Sequence, residues 1–314
     1  MANIKEEWYI IVNPHAGSGK TMKYWVPAEK LLCSYGIPFY TVYTTHKHHA
    51  TSLAAVAARQ GYRKIMAVGG DGSIHEVFDG VLDWCETSGV DPEEFFLAVA
   101  PIGSGNDWIK AFGIPRDVEK VIGLLAKGKF AKEDVVRVKM DSGAVSYMAN
   151  IGGMGFDSHV CQSVNAQKES RLRSSRIYLT SLLASLWHIT SQNIAFYCDD
   201  ELVFKGPVYD IAMGNGSYCG GGMQQCCLAD PTDGILDAII VPVIKLSKLV
   251  PELPRIYNHT LHESKHIRYF RGKKFRIEAL DADSEDIFEL DGEIVGRIPL
   301  TVEITGKKVN VLTA

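Results

Sequence analysis

The residues best placed to do chemistry in this chain sit in glycine-rich segments, the densest being Val68-Gly-Gly-Asp-Gly-Ser-Ile-His-Glu76. Three glycines around one acid, between a short apolar run and a helical pattern, let the backbone approach a ligand closely. Asp71 stands where a carboxylate could hold Mg²⁺ against a chain of phosphates. The plainer reading makes Asp71 the cap of the following helix, but one cap does not need three glycines. A second segment, Ala100-Pro-Ile-Gly-Ser-Gly-Asn-Asp-Trp108, offers Ser104, Asn106 and Asp107 beside two more glycines. A third, Asn13-Pro-His-Ala-Gly-Ser-Gly-Lys-Thr21, invites comparison with the P-loop pattern G-x-x-x-x-G-K-[ST]. Gly19, Lys20 and Thr21 fit it, but the leading position is Pro14, which lacks an N–H and fixes φ. What survives is a turn whose free amides could hold phosphate at a helix N-terminus, or a tight turn alone.

These segments need elements to hold them. Trp8 to Val12, Phe39 to Tyr43, Ile65 to Val68 and Phe95 to Ala100 read as short buried strands. Between them, apolar residues recur at helical spacing over Met22 to Tyr35, Ala50 to Ala58 and Ile74 to Trp84, with Gly36 and Gly61 as stops. Strands alternating with helices predict a parallel sheet with right-handed crossovers. The three glycine-rich segments then fall at the carboxyl ends of its strands and face one crevice, where such sheets gather ligands. After about Asp134 the period changes. Tyr147 to Ile151, Ile194 to Tyr197, Ile235 to Val241, Lys274 to Glu278 and Thr301 to Ile304 read as strands between Gly, Asp and Pro turns. One helix, from about Arg171 to Ser191, interrupts them. Its basic start (Arg171, Arg173, Arg176) and apolar Leu182, Leu183, Leu186 and Trp187 would suit an anionic bilayer surface; a packed amphipathic helix fits them equally well.

Composition narrows the class. The chain has 314 residues, 46% hydrophobic and 22% charged, with 33 Lys+Arg against 37 Asp+Glu and a net charge of −4. That is the balance of a globular protein large enough for two domains or one large α/β unit. It lacks the basic footprint of a nucleic-acid binder, and no apolar run is long enough to span a bilayer. Met1 to Glu7 does not read as a signal peptide. Seven scattered cysteines do not read as a disulfide framework, so a cytoplasmic, reduced setting is expected.

Taken together, Gly69-Gly-Asp-Gly-Ser73 with Glu76, and Pro101-Ile-Gly-Ser-Gly-Asn-Asp107, resemble the catalytic domain of diacylglycerol kinases, which are related to sphingosine kinases. The bacterial soluble lipid-kinase branch is the most similar. The likeness continues, in order, through Asn150-Ile-Gly-Gly-Met-Gly-Phe-Asp157, Gly214-Asn-Gly-Ser217 with Gly220-Gly-Gly-Met223, Asp230-Pro-Thr-Asp-Gly-Ile-Leu-Asp237 and Leu290-Asp-Gly-Glu293. Gly-Gly-Asp-Gly by itself also occurs in NAD kinases and resembles phosphofructokinases; the Pro101 to Asp107 loop tilts the likeness toward lipid kinases. The chain departs from the pattern at Ser73 and Ser104, where threonine is usual, at His48-His49, and at Cys226-Cys227. The histidines read locally as a solvated helix start and the cysteines as buried thiols.

The resemblance implies an α/β plus β fold: a Rossmann-like or phosphofructokinase-like parallel-sheet domain over 1–134, a C-terminal β-sandwich over 135–299, and 300–314 returning to the first domain. It implies ATP bound by Asn13, Thr44, Gly70, Asp71, Gly72, Ser73, Glu76, Ser104, Asn106 and Asp107. It implies Mg²⁺ at Asp230, Asp233 and the carbonyl of Ile235, where a carboxylate pair in a turn suits a hard cation and Asp233-Gly234 also suits a plain hairpin. Glu293 would accept the proton of a lipid hydroxyl with Asp291 assisting, while Asp71, the third catalytic residue, would position Mg²⁺ and the triphosphate. The expected activity is transfer of the γ-phosphate of ATP to a lipid, diacylglycerol foremost, at the membrane surface. A sphingoid-base or ceramide kinase, an NAD kinase-like enzyme and a non-catalytic nucleotide or lipid sensor are the rivals. Exposed strand edges in the second domain could pair two copies into a homodimer.

Overall fold

The computed structural model describes residues 4–155, 191–281 and 287–314. Asp157 and residues 171–190 of the expected basic helix lie outside these. The first half is built on four parallel strands, β1 (Lys5–Val12), β2 (Phe39–Tyr43), β3 (Tyr62–Gly69) and β4 (Phe96–Pro101), in the order β2-β1-β3-β4. Ile10, Ile11, Ile65, Met66, Ala98 and Val99 are buried, because helices cover a parallel sheet on its faces and leave its central strands no wet side. Short α1 (Ala16–Gly19) leads into α2 (Thr21–Ser34); α3 (His49–Arg59) and α4 (Asp71–Ser88) are the next crossovers, followed by α5 (Trp108–Ala111) and α6 (Val118–Lys127). Helices α3 and α4 pack so tightly that a Cβ on Gly80 would lie 2.1 Å from the carbonyl oxygen of Thr51. Gly89, at φ 74°, ends α4 in the left-handed conformation that favours glycine.

The second half is antiparallel: β5 (Phe130–Met140), β6 (Val145–Met148), β7 (Ile151–Gly155), β8 (Gln192–Cys198), β9 (Glu201–Gly214), β10 (Leu236–Pro242), β11 (Arg268–Gly272), β12 (Lys274–Ala279), β13 (Ile287–Leu290), β14 (Glu293–Arg297) and β15 (Leu300–Leu312). The order β14-β13-β7-β9-β8-β12-β15 leads directly into β4, with β10 and β11 branching from β9. Phe196, Phe275, Phe288, Ile211 and Leu236 centre its core. Strand β15 does double duty: its first residues pair with β12, and Asn310 and Val311 pair in parallel with Phe96 and Leu97 of β4. Strand β5 runs unbroken through residue 134. Val135 packs into the core of the first half, whereas Val136 and Val138 pack into that of the second.

The structure departs from the sequence reading in the second half, which holds more strands than that reading names, β5, β11, β13 and β14 among them. The run Tyr147 to Ile151 is not one strand; the chain breaks between Met148 and Ile151. Strand β9, fourteen residues long and running through Gly206-Pro207, has no counterpart in that reading. Pro207 is tolerated because its carbonyl, and with it the position of the missing N–H, faces away from β8 toward Val243, where no ladder bond is lost.

Candidate active site

The glycine-rich loops at the ends of β1, β3 and β4 touch one another. A Cβ on Gly17 would lie 2.8 Å from Cγ2 of Ile102, the backbone N–H of Ile102 donates to the carbonyl of Gly69 (2.6 Å), and a Cβ on Gly103 would lie 2.7 Å from Cα of Gly70. The glycines are therefore required for loop-to-loop contact. Asn13 makes its own turn, its Oδ1 accepting from the N–H of His15 at 3.0 Å. Asn106, at φ 49°, donates from Nδ2 to Gly103; its buried Oδ1 has no hydrogen-bond partner among the described residues.

Asp71 begins α4 with its side chain turned to the β4 loop, where Oδ1 accepts the N–H groups of Asp107 (2.7 Å) and Trp108 (3.2 Å). Burial pushes its carboxyl above the usual carboxylate range and the charge of Asp107 adds to this, against the opposing pull of the two N–H groups. Gly105 leaves the space between the acids: a Cβ there would stand 2.8 Å from Asp71 Oδ2 and 3.3 Å from Asp107 Oδ2. Lys110 Nζ pairs with Asp107 Oδ1 at 2.5 Å, and Gly221 of the second half donates its N–H to Oδ2 at 2.6 Å. Two acids that face each other across Gly105, one of them paired with an ammonium, are the kind of oxygen set a hard divalent cation would complete.

The hairpin turn Leu290-Asp-Gly-Glu293 closes the same crevice from the second half. Asp291 (φ 52°) and Gly292 (φ 89°) both have positive φ, as a type I′ turn demands. The Asp291 carboxylate accepts four donors: Asn150 N (2.9 Å) and Ile151 N (3.0 Å) on Oδ1, Ala149 N (3.0 Å) and His75 Nδ1 (2.9 Å) on Oδ2. It thereby causes the break between β6 and β7 and fastens the turn to α4. Burial pulls the His75 imidazole down, but the hydrogen bond and charge of Asp291, with Asp79 and Glu293 adding, carry it above the ordinary value. Glu293 is left facing the glycines, with Oε1 3.5 Å from where a Cβ on Gly72 would sit and Oε2 2.7 Å from Nζ of Lys47.

The chain as a whole has known relatives. Residues 7–138 match the diacylglycerol kinase catalytic domain, and residues 150–313, half of the chain, match the YegS C-terminal NAD kinase beta sandwich-like domain. The chain belongs to the diacylglycerol kinase family, in its bacterial lipid-kinase branch. It is 28% identical to YtlR of Bacillus subtilis over 314 residues (93% of this chain, 94% of that one). It is 25% identical to the diacylglycerol kinase of Mycobacterium tuberculosis H37Rv over 303 residues (94% and 93%). The crystal structure of a diacylglycerol kinase from Bacillus anthracis superimposes with a TM-score of 0.74 at 22% identity, covering 98% of this chain and 97% of that one. The fold is accordingly a parallel-sheet α/β domain joined to a β-sandwich-like one. Among the described residues, no helix of this family member is long and apolar enough to cross a membrane.

The other residues expected from the sequence are placed as follows. Thr44 is buried at the end of β2, its N–H donating to Val12. Ser73 is buried with Oγ against Gly69, and Ser104 is exposed on its loop. Both Glu76 oxygens accept backbone N–H groups, from His48 (3.2 Å) and Ala50 (2.9 Å), so the side chain caps α3 and positions the Thr44 loop. Asp230, Asp233 and Ile235 lie in another neighbourhood, among β5, β11 and β15. There Asp230 Oδ1 accepts from the N–H and hydroxyl of Thr232, and Asp233 accepts from Ile235 N–H and the Arg271 guanidinium. Both Asp233 oxygens are thus engaged, and the cationic Arg271 side chain already stands at the turn.

Sequence reasoning missed Lys47, His75, Lys110 and Glu133. His75 had a legible signal, since it lies four residues after Asp71 on the same helix face. Glu133 looked like an ordinary strand acid. It is fully buried, held by Trp108 Nε1 (3.1 and 3.2 Å) behind the β4 loop, and burial raises its carboxyl well above the usual range.

Proposed function

We propose that this chain is an ATP-dependent lipid kinase that transfers the γ-phosphoryl group to the hydroxyl of diacylglycerol or a similar lipid. The observation that carries the reading is the approach of Glu293, from the second half of the chain, to Gly72 in the glycine loop of the first. A proton acceptor thus stands beside a loop suited to phosphate. The amides around Gly70 to Ser73, at the N-terminus of α4, and the loops of Asn13, Thr44 and Ser104 bind the triphosphate. Asp71 and Asp107 are the residues that would hold Mg²⁺, which supplies neutralisation of the phosphate charge. Lys47 sits beside the base and adds a positive charge at the crevice. Glu293 takes the proton of the acceptor hydroxyl as its oxygen attacks the γ-phosphorus in line. The bond from γ-phosphorus to the bridging oxygen breaks, leaving ADP and a phosphorylated lipid. Phosphoryl transfer is loose in its transition state, so holding the partners in line matters more than the strength of the base.

The test is transfer of labelled γ-phosphate from ATP and Mg²⁺ into detergent-dispersed diacylglycerol, sphingosine, ceramide and phosphatidylglycerol, with NAD alongside. Label in diacylglycerol supports the reading. Label in a sphingoid lipid alone moves the acceptor, and label in NAD alone overturns the lipid reading.

Loop contact gives a second expected outcome. In Gly103→Ala the new methyl would meet Gly70 Cα and the Asn106 side-chain oxygen, at 2.7 and 2.6 Å, so the loops must part. A displacement of about 1 Å costs on the order of 10²-fold in turnover. Gly128→Ala, where nothing lies within 4 Å, serves as the control remote from the crevice. Its positive φ allows some loss of stability but none of nucleotide affinity, which a fluorescent nucleotide titration reads directly.

A further inference from the structure

The turn that carries Asp230 and Asp233 is enclosed by acids and by two cationic side chains of the chain itself. Asp134 of β5 is buried. Its Oδ1 meets Lys308 Nζ at 2.7 Å, its Oδ2 accepts the N–H of Gly234 at 2.8 Å, and its own N–H donates to the carbonyl of Pro231 at 2.7 Å. Lys308 also donates to the carbonyl of Thr232 at 2.7 Å, so one ammonium ties β5 and β15 to the turn. On the other side, Arg271 of β11 spans two acids, with Nη2 2.8 Å from Asp233 Oδ2 and Nε 3.1 Å from Oδ1 of fully buried Asp237. A guanidinium suits this task because its donors point in fixed directions from one plane.

We propose that Arg271 and Lys308 are the resident cations of this turn, and that the β-rich half holds its shape without a bound metal ion. Together they bring two positive charges, as many as one divalent ion. They stand where such an ion would need oxygen ligands, so its entry would require Arg271 to leave Asp233 and would be opposed by like charge. The proposal concerns the turn alone and is independent of which acceptor the crevice serves.

Thermal unfolding of the full, nucleotide-free chain in EDTA and in millimolar Mg²⁺ tests it. The wild-type midpoint should be the same in both. An ion bound well above its dissociation constant would raise the midpoint by roughly 5 °C or more. Arg271→Gln strands Asp237 without its charge partner and should lower the midpoint in EDTA by a similar amount. It should also make the midpoint rise with Mg²⁺, because Asp233 and Asp237 are then open to an ion. If Arg271→Gln does not fold, Arg271→Lys keeps the charge and should keep the indifference to Mg²⁺. A wild-type rise of about 5 °C that Asp230→Asn abolishes overturns the proposal, as does an Arg271→Gln midpoint equal to wild type in EDTA. A rise that survives Asp230→Asn originates elsewhere, and the proposal for this turn stands.

Discussion

Asp291→Ala should destabilise the chain by about 4 kcal/mol or more. The substitution removes the acceptor of three backbone N–H groups, those of Ala149, Asn150 and Ile151, and of the buried His75 ring. Each buried donor left without a partner costs about 1–3 kcal/mol, and the losses overlap because the donors share one carboxylate. Asp291→Asn keeps the shape and one acceptor oxygen, so its loss should be smaller. Denaturant unfolding measures both; an alanine variant as stable as wild type would show that the anchor is unimportant. The pair also gives a pH dependence. The His75 pKa is raised on folding despite its burial. Its contribution is therefore complete below the ordinary imidazole value of about 6.5 and is lost as pH rises through the higher folded value. His75→Gln, which cannot ionise, should remove that slope.

Glu293→Gln should lower turnover by about 10²- to 10⁴-fold, the range for loss of a proton acceptor, while leaving nucleotide affinity and the unfolding midpoint close to wild type. The amide keeps the size of the side chain beside Gly72 but neither accepts the proton nor pairs with Lys47, whose ammonium lies 2.7 Å from Oε2. Among the described residues Glu293 pairs with that exposed ammonium, so its replacement should be felt in turnover more than in stability, to which exposed ion pairs contribute little. Steady-state kinetics on the lipid identified by the labelling experiment, with a separate nucleotide titration, distinguish the two effects. Turnover near wild type would remove Glu293 from the role of base. Asp291 and Glu293 are two residues apart in one turn, and their variants should fail in opposite ways, one in folding and one in catalysis.

The difference shows what a linear reading can reach. The three glycine-rich segments stood out because close approach of one backbone to another admits few other residues, and Gly70 against Gly103 is such an approach. The parallel sheet was legible because its helices and strands alternate at their own periods. The break after Met148 was not, because its cause is the carboxylate of a residue 142 positions downstream of Ala149. Glu76 showed an acid in a suggestive place but not that both its oxygens would be spent on α3. Lys47 and Glu133 carried no local signal: one is defined by a partner in the other half of the chain, the other by complete burial. Strand β9 was not legible because Gly206-Pro207 interrupts its run of strand formers; in the fold the proline's missing N–H falls on the side away from β8.

Strand β15 has a consequence for how the chain comes together. The outer edge of β4 is completed by Asn310 and Val311, and the side chain of Asn310 reaches the carbonyl of Phe95, 215 residues earlier. While the polypeptide is being made, the first half therefore emerges with an unpaired strand edge, which stays open until residues 310 and 311 have followed. Contacts of such long range form late and slowly, and an open edge is an invitation to wrong partners in the meantime. The crevice begins in the first hundred residues, yet the sheet behind it is sealed only when a strand from far along the second half arrives.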